Sequence, residues 1–472
     1  MFAESAVAVT APAIAYIYWR FGRNEPFLHG VPFPASLHQP FLGVAGLLGS
    51  INGCDRLFAD AADANGMVSF RLLTTNAVSV LKADHVRQVV CATSYREMVP
   101  ILGNHLRKLL GDASLLLLSR HEWKSHRRLV AKAFHWQSLA QMVPTMVEVA
   151  EAFVDVALQT GSGASVDVAP LLKLAALDTI GQCAFGYDFE ALANGKNGVT
   201  SAFEFLLNEA KRRGFDDTLH PASVWYDLPT PANRRYKREA RILRSTLEMI
   251  VVARMSDIAT TKHDLLGSLL AAAADESSVV TPATLADNLL TFLFAGFDTV
   301  ATALAYAMHL LSTHPDSIGR LPYVYAVMTE ALRLFPPGPG TSRTLEADLV
   351  LDGHTIPAGT LVYLPIWEIN RSRLNWGDDA DAFRPERHVE GASDEICSDR
   401  TFRMMSFSAG PRNCVGMRFA MLEAVVMLAT MLRRCWLTRP SDAPPVTPKI
   451  SGILQVPAHG VWVRVTPLPP CA

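Results

Sequence analysis

Cys414 is the residue whose surroundings point most directly to chemistry. It stands in Phe407-Ser-Ala-Gly410-Pro-Arg412-Asn-Cys414-Val-Gly416, just before an amphipathic stretch running from Met417 to about Arg434. A cysteine sulfur stays ionised when positive charge and backbone donors face it. A loop entering a helix N-terminus supplies both. Gly410 permits a tight turn there, and Gly416 permits a flat ligand to approach the helix closely. Arg412 can pair with a carboxylate on such a ligand. The plainer alternative is that Cys414 is a small buried hydrophobe.

Other constellations lie earlier in the chain. Ala295-Gly296-Phe297-Asp298-Thr299 combines a glycine with an acid and an alcohol inside a long apolar run. Thr299 could serve a bound ligand, or simply bond its own helix carbonyl with Asp298 facing water. Glu330 and Arg333 sit three apart on one helical face, ahead of Phe383-Arg-Pro385-Glu386-Arg387. Trp123 and Arg127 are spaced four apart, which also places them on one face. His354 reads as a turn residue.

These side chains need long helices to hold them. Thr281-Pro282 makes a cap with proline at the first helical position, and helical periodicity then continues to about Ser312. Gly296 falls in its middle, where glycine costs about 1 kcal/mol relative to alanine. Either something approaches the backbone at that point or the helix unwinds locally. Strand-like runs occur at Met67 to Leu73 and Ala347 to Pro365, the second with an Asp352-Gly353 hairpin signal. Most of the rest is helical in period. The expected fold class is mainly α with a small β region and no clear dividing linker.

Composition narrows the function classes. The net charge of -2 gives no whole-chain signal for nucleic acid. Seven cysteines without a CxxC pair argue against a zinc site or a secreted disulfide framework. Ser5 to Trp19 is uncharged and ends in aromatic residues followed by Arg20 and Arg23. It is short for a span of about 20 residues, but its flanks suit a membrane interface with the body on the cytosolic side. We therefore expect residues 1–22 to be a membrane anchor and 23–44 a proline-rich hinge. Residues 45–472 are expected to form the catalytic domain.

The cysteine loop matches every fixed position of FxxGxRxCxG, and the chain resembles the cytochrome P450 family. Glu330-Ala-Leu-Arg333 and the segment ending at Arg387 resemble its ExxR and PER elements, Trp123–Arg127 its WxxxR helix, and Ala295–Thr299 its AGxDT motif. Leu110-Gly111-Asp112 and Ala133-Phe134-His135 look like the branch containing fatty-acid hydroxylases. Ala295, however, stands where many ω-hydroxylases carry glutamate, and Asn370-Arg371 replaces the common His-Arg pair.

The resemblance implies a P450 fold with a long central helix over the haem and the cysteine loop beneath it. Cys414 would be the axial ligand of haem b, with Phe407, Gly416 and Ala295 against the cofactor. Trp123, Arg127, Arg343 and Arg412 would hold the haem propionates. Asp298 and Thr299 would deliver protons to dioxygen, and Glu330, Arg333 and Arg387 would form a buried ion network bracing the cysteine loop. Electrons would come from NADPH through a separate flavoprotein, NADPH-cytochrome P450 reductase, with cytochrome b5 as an optional second partner. Lys124, Arg127, Arg128 and Lys132 offer a basic docking face. The reaction implied is monooxygenation of a lipophilic small molecule, a fatty acid, sterol or other lipid, at the endoplasmic reticulum membrane. Two rivals remain: a haem-thiolate isomerase or dehydratase needing no external electrons, and a haem-binding sensor or carrier without turnover.

Overall fold

The run Met67–Leu72 forms the strand β1, and Thr75–Val80 forms β2, antiparallel to it. Side chains alternate across a strand, so this ribbon buries Met67, Val78 and Val80 on one face and Val68, Phe70 and Ala77 on the other. The helix α1 (Ala83–Ala92) packs Val86, Val89 and Val90 into the first of these clusters. The computed structural model describes residues 27–34, 57–72, 75–96, 100–161, 165–195, 198–213, 228–256, 264–275, 281–314, 321–389 and 400–469. The expected anchor lies outside them, and of the expected hinge only 27–34 is described, as turns and bends.

The chain divides into two compact units. The first draws on Met1–Glu97, Pro339–Asp381 and Glu395–Asn413. Besides β1, β2 and α1 it holds β3 (Thr341–Thr344), β4 (Leu349–Leu351), β5 (His354–Ile356) and β6 (Leu361–Leu364). The four-stranded sheet has the order β1-β2-β6-β3, with β2 and β6 parallel. β4 and β5 form the expected hairpin; Asp352 and Gly353 both take positive φ, 45° and 84°, as a two-residue turn of matching twist requires. His354 begins β5 rather than lying in the turn, with Nδ1 3.2 Å from the His29 carbonyl.

The second unit comprises Met98–Gly338, Ala382–Asp394 and Cys414–Ala472. Its helices include α2 (Arg120–Ala133), α3 (Val168–Ile180), α4 (Pro231–Ser256), α5 (Pro282–Thr313), α6 (Leu321–Leu334) and α7 (Met417–Arg434). The Thr281 side chain accepts from the backbone N–H of Thr284, so the expected cap is real, and Pro282 follows at the first position. α5 is about 48 Å long at 1.5 Å per residue and continuous throughout. From Leu285 to Ser312 every residue is buried except Ala295, Gly296, Thr299 and His309. A helix apolar on all sides is a core helix or a membrane span. This one is mostly buried within the protein, as is the other long apolar stretch, Val168–Phe185.

Gly296 is explained by a neighbour and not by unwinding. A Cβ there would stand 3.2 Å from the Ile180 side chain at the end of α3. Glycine thus lets α3 and α5 pack closely. The C-terminal strands Cys435–Thr438, Pro448–Ser451, Leu454–Pro457 and Trp462–Pro467 fall where helical period was expected. They are short and bounded by prolines and turns. The alternating burial of Trp462–Pro467 is their clearest signal.

Candidate active site

The chain crosses from the first unit to the second between Asn413 and Cys414. In the first unit, Gly410 takes φ +69°, and a Cβ there would press on the carbonyl of Val90. The tight turn expected of Gly410 is therefore enforced by α1. In the second unit, α7 starts immediately after Gly416. The backbone N–H groups of Gly416 and Met417 donate to the Cys414 sulfur, and Arg127 of α2 adds a positive field. Burial pushes the thiol up, the Gly416 N–H, Arg127 and Met417 N–H pull it down, and burial prevails. The helix N-terminus alone does not ionise Cys414. A metal ion bound to the sulfur does, because coordination deprotonates a thiol outright.

Cys414 keeps accessible surface although protein surrounds it at longer range. Gly416 has φ -84° and its nearest neighbours, the Phe134 ring and the Cys414 sulfur, lie 3.8 and 4.0 Å from where a Cβ would be. Backbone geometry does not demand glycine there. The space beside Gly416 would admit a flat group against the helix start.

Ala295, Gly296 and Thr299 make one short accessible strip in the middle of α5. The Thr299 hydroxyl donates to the Ala295 carbonyl at 2.7 Å, so the hydroxyl is tied to its own helix. Asp298 is fully buried and so does not face water. Its Oδ1 lies 2.8 Å from Nζ of Lys173 on α3, close without hydrogen-bond alignment. Lys173 is 42% exposed. The lysine, which the sequence reading passed over, is the solvent-facing member of this pair.

Arg343 and Arg412 belong to the first unit. Arg343 is 1% exposed on β3; it donates to the Ser342 carbonyl at 2.8 Å and reaches Thr341, Ser408 and the Ala409 carbonyl at 3.3–3.4 Å. None of these partners is anionic, and its Nε has no hydrogen bond. Burial and then the nearby Arg96 lower its pKa to about 10. Arg412 donates to the Ser94 carbonyl at 2.9 Å. A buried guanidinium such as Arg343, bonded to neutral oxygens, suits an anion. Arg96 is a third cation of this group, and the sequence carried no motif to mark it. Asn370 earns its departure from histidine differently: it accepts from Met405 N at 2.8 Å and donates to Ser406 at 2.9 Å, fixing the backbone just before Phe407. Phe407 itself is half-buried.

Glu330, Arg333 and Arg387 do come together. Glu330 accepts from Arg333 Nε and Nη2, both at 2.7 Å, from Arg387 Nε at 3.0 Å and from the Arg384 N–H at 3.0 Å. His388, an unforeseen member, contributes Nε2 at 2.7 Å. Burial would raise the Glu330 pKa, but Arg333 and His388 lead the interactions that bring it down to about 2. The network joins α6 to the 382–388 segment. Trp123 is buried on α2, and Arg127, one turn on, is half-buried.

A known family accounts for this set of residues. The Cytochrome P450 family model matches residues 34–320 and 316–463. The chain belongs to the cytochrome P450 family. It is 32% identical over 77% of its length to Cytochrome P450 4ae1 of Drosophila melanogaster, covering 78% of that protein. It is 30% identical over 69% of its length to Protein LUTEIN DEFICIENT 5, chloroplastic, of Arabidopsis thaliana, spanning 59% of that relative. It is also 32% identical over 66% of its length to 11-oxo-beta-amyrin 30-oxidase of Glycyrrhiza uralensis, spanning 64% of it.

As a cytochrome P450 monooxygenase, the protein uses haem and takes electrons from a redox partner. Its residues fit that cofactor. The thiol at a helix start fits the iron, glycine at position 416 fits a flat ring, and the buried arginines fit ring carboxylates. Among the described residues no cluster of three or more His, Cys, Asp and Glu could hold a bare metal ion.

Proposed function

We propose that the protein hydroxylates a lipophilic small molecule, a fatty acid, sterol or other lipid, with electrons from NADPH delivered by NADPH-cytochrome P450 reductase and assisted by cytochrome b5. The observation that carries this reading is the accessible Cys414 sulfur, held by two backbone N–H groups in the field of Arg127. Bound haem, with this thiolate on its iron, supplies the activation of dioxygen. The residues of the chain do the rest. Cys414 anchors the cofactor, and Trp123, Arg127, Arg343, Arg412 and Arg96 hold its carboxylates. Phe407, Gly416 and Ala295 would pack against it. Asp298 and Thr299 pass protons inward, with Lys173 at the solvent end. The Glu330 network braces the cysteine loop. Lys124, Arg128 and Lys132 of α2 are exposed and basic, which suits docking of a partner with an acidic face.

Residues 1–22 act as the anchor, 23–44 as the hinge and 45–472 as the catalytic domain, on the cytosolic face of the endoplasmic reticulum. Deleting residues 1–22 should move protein out of the membrane fraction while preserving the haem spectrum; folding loss with unchanged partitioning would place that segment in the core. One relative is named for oxidation of 11-oxo-beta-amyrin, which supports an apolar substrate. The functional test is a spectral binding screen with fatty acids and sterols, followed by product identification with reductase present. Product that requires both NADPH and oxygen supports the monooxygenase. Turnover without either would establish the isomerase, and binding without any turnover the carrier.

A further inference from the structure

Outside the residues assigned above stands Phe134, which the sequence marks only by the likeness of Ala133-Phe134-His135 to one branch of the family. α2 ends on it. Phe134 takes φ -93° and ψ 21°, and its N–H bonds back to the Ala131 carbonyl at 3.2 Å. A short helix, Trp136–Ala140, starts after a single extended residue, His135. The backbone is therefore fixed on both sides of the ring. The ring itself is buried and meets two other buried rings at right angles. Its centroid lies 5.3 Å from that of Phe292 on α5, at 89°, and 6.5 Å from that of Phe419 on α7, at 86°. Both separations suit T-shaped pairs, in which the positive edge of one ring meets the negative face of another.

Such packing would serve any core; what distinguishes this ring is where one edge of it lies. Phe134 Cε1 and the Cys414 sulfur stand 3.8 and 4.0 Å from one and the same point, the place a Cβ on Gly416 would occupy. Ring edge and sulfur thus border a single small space at the start of α7. α2 reaches Cys414 twice, with the charge of Arg127 and, two turns further on, with this apolar wall. Phe292 sits three, four and seven residues before Ala295, Gly296 and Thr299, so it shares the face of α5 that carries the accessible strip. The three rings therefore run from that face to the start of α7. An aromatic edge beside sulfur is favourable in itself. The apolar shell around a metal site also controls water access, and with it the potential. Reduction of the iron adds one negative charge to the site. Water admitted beside the sulfur would stabilise that added charge and raise the potential.

We propose that Phe134 is a positioning residue for Cys414, walling its sulfur from water on the α2 side and so setting how strongly the thiolate donates to the haem iron. This rests on Cys414 being the iron ligand, as proposed above. Two readouts that need no turnover test it on the full-length, haem-loaded protein. They are the Fe–S stretching frequency of the ferric form by resonance Raman and the midpoint potential by spectroelectrochemistry. Phe134→Leu is the deciding variant, since it retains apolar volume and loses the ring edge. It should lower the stretching frequency and raise the potential by the equivalent of roughly ten-fold in the reduction equilibrium, ~59 mV for one electron. Phe134→Ala, which opens more space, should move both readouts further. Phe185→Leu removes half of another buried edge-on pair, 6.5 Å and 87° from Phe189. It should lower the denaturation midpoint and leave both readouts at their wild-type values. An unchanged or lowered potential in Phe134→Leu with a wild-type Fe–S frequency, whatever its stability, would reduce Phe134 to core packing and overturn the proposal. An equal shift in Phe185→Leu would do the same. Absence of the Fe–S stretch from the wild-type protein would instead refute Cys414 as the ligand, and this role with it.

Discussion

Glu330 and Asp298 are both carboxylates without solvent exposure, and their neighbourhoods differ sharply. Glu330 is enclosed by Arg333, Arg387, His388 and the Arg384 N–H. Asp298 meets the ammonium of Lys173, which is itself 42% exposed. The first arrangement consumes both carboxylate oxygens in fixed hydrogen bonds, which suits a brace. The second sets a buried carboxylate beside a flexible side chain open to water, which suits a group on a proton route. A third acid, Glu423 of α7, marks the far end of the series. It is buried with a Thr179 hydroxyl for company, and burial holds its pKa well above the usual value. Burial alone does not set the state of an acid; the partners do.

The largest effect belongs to the brace. Glu330→Ala strands two buried guanidiniums and should cost about 3–5 kcal/mol, read as a lower denaturation midpoint with poor haem incorporation. The same residue gives a pH signature. Its folded pKa is lowered from 4.5 to about 2, so its stabilising contribution is present above about 4.5 and lost as pH falls toward about 2. A fully haem-loaded, thermally normal Glu330→Ala protein would erase the distinction between the two sites.

Lys173→Gln should be milder, roughly 1–2 kcal/mol, between the values typical of buried and exposed pairs. Asp298→Asn in the same chain should restore most of that loss, as measured by a thermal double-mutant cycle. Additive losses would mean that the two side chains do not act as a pair. Glu423→Gln should change stability least at low pH. Because the folded pKa of Glu423 is raised, its carboxyl favours folding below the usual glutamate value and loses that contribution as pH rises. The glutamine variant should therefore gain on wild type as pH increases, and a parallel pair of stability curves would count against a neutral Glu423.

Thr299→Ala should alter stability by less than about 0.5 kcal/mol, since the hydroxyl is partly exposed and bonds only its own helix. Its expected effect is on the partition of electrons, with more hydrogen peroxide and less organic product per NADPH. An unchanged ratio would remove Thr299 from the proton route.

Features set by local sequence were legible in advance. The Thr281-Pro282 start of α5, the Asp352-Gly353 turn and the Met417 start of α7 each depend on neighbouring residues. The Glu330–Arg333 pair was visible for the same reason. What stayed hidden are partnerships across long stretches of chain. Lys173 meets Asp298 across 125 positions, and nothing in its own helix distinguishes it from a solvated lysine. Arg343 was found by likeness to a motif, yet the strand β3 that buries it is only four residues long and pairs with β6. No sequence motif marks His388, whose ring meets Glu330 only in the folded chain.

Every role assigned to the site depends on Cys414 holding iron as a thiolate. The direct measurement is the absorption spectrum of the reduced, carbon-monoxide-bound protein, wild type beside Cys414→Ala and Cys414→His. Wild type should show the red-shifted Soret band of thiolate ligation, Cys414→Ala should lose it, and Cys414→His should retain haem with neither that band nor monooxygenase activity. An undiminished thiolate band in Cys414→Ala would contradict the assignment.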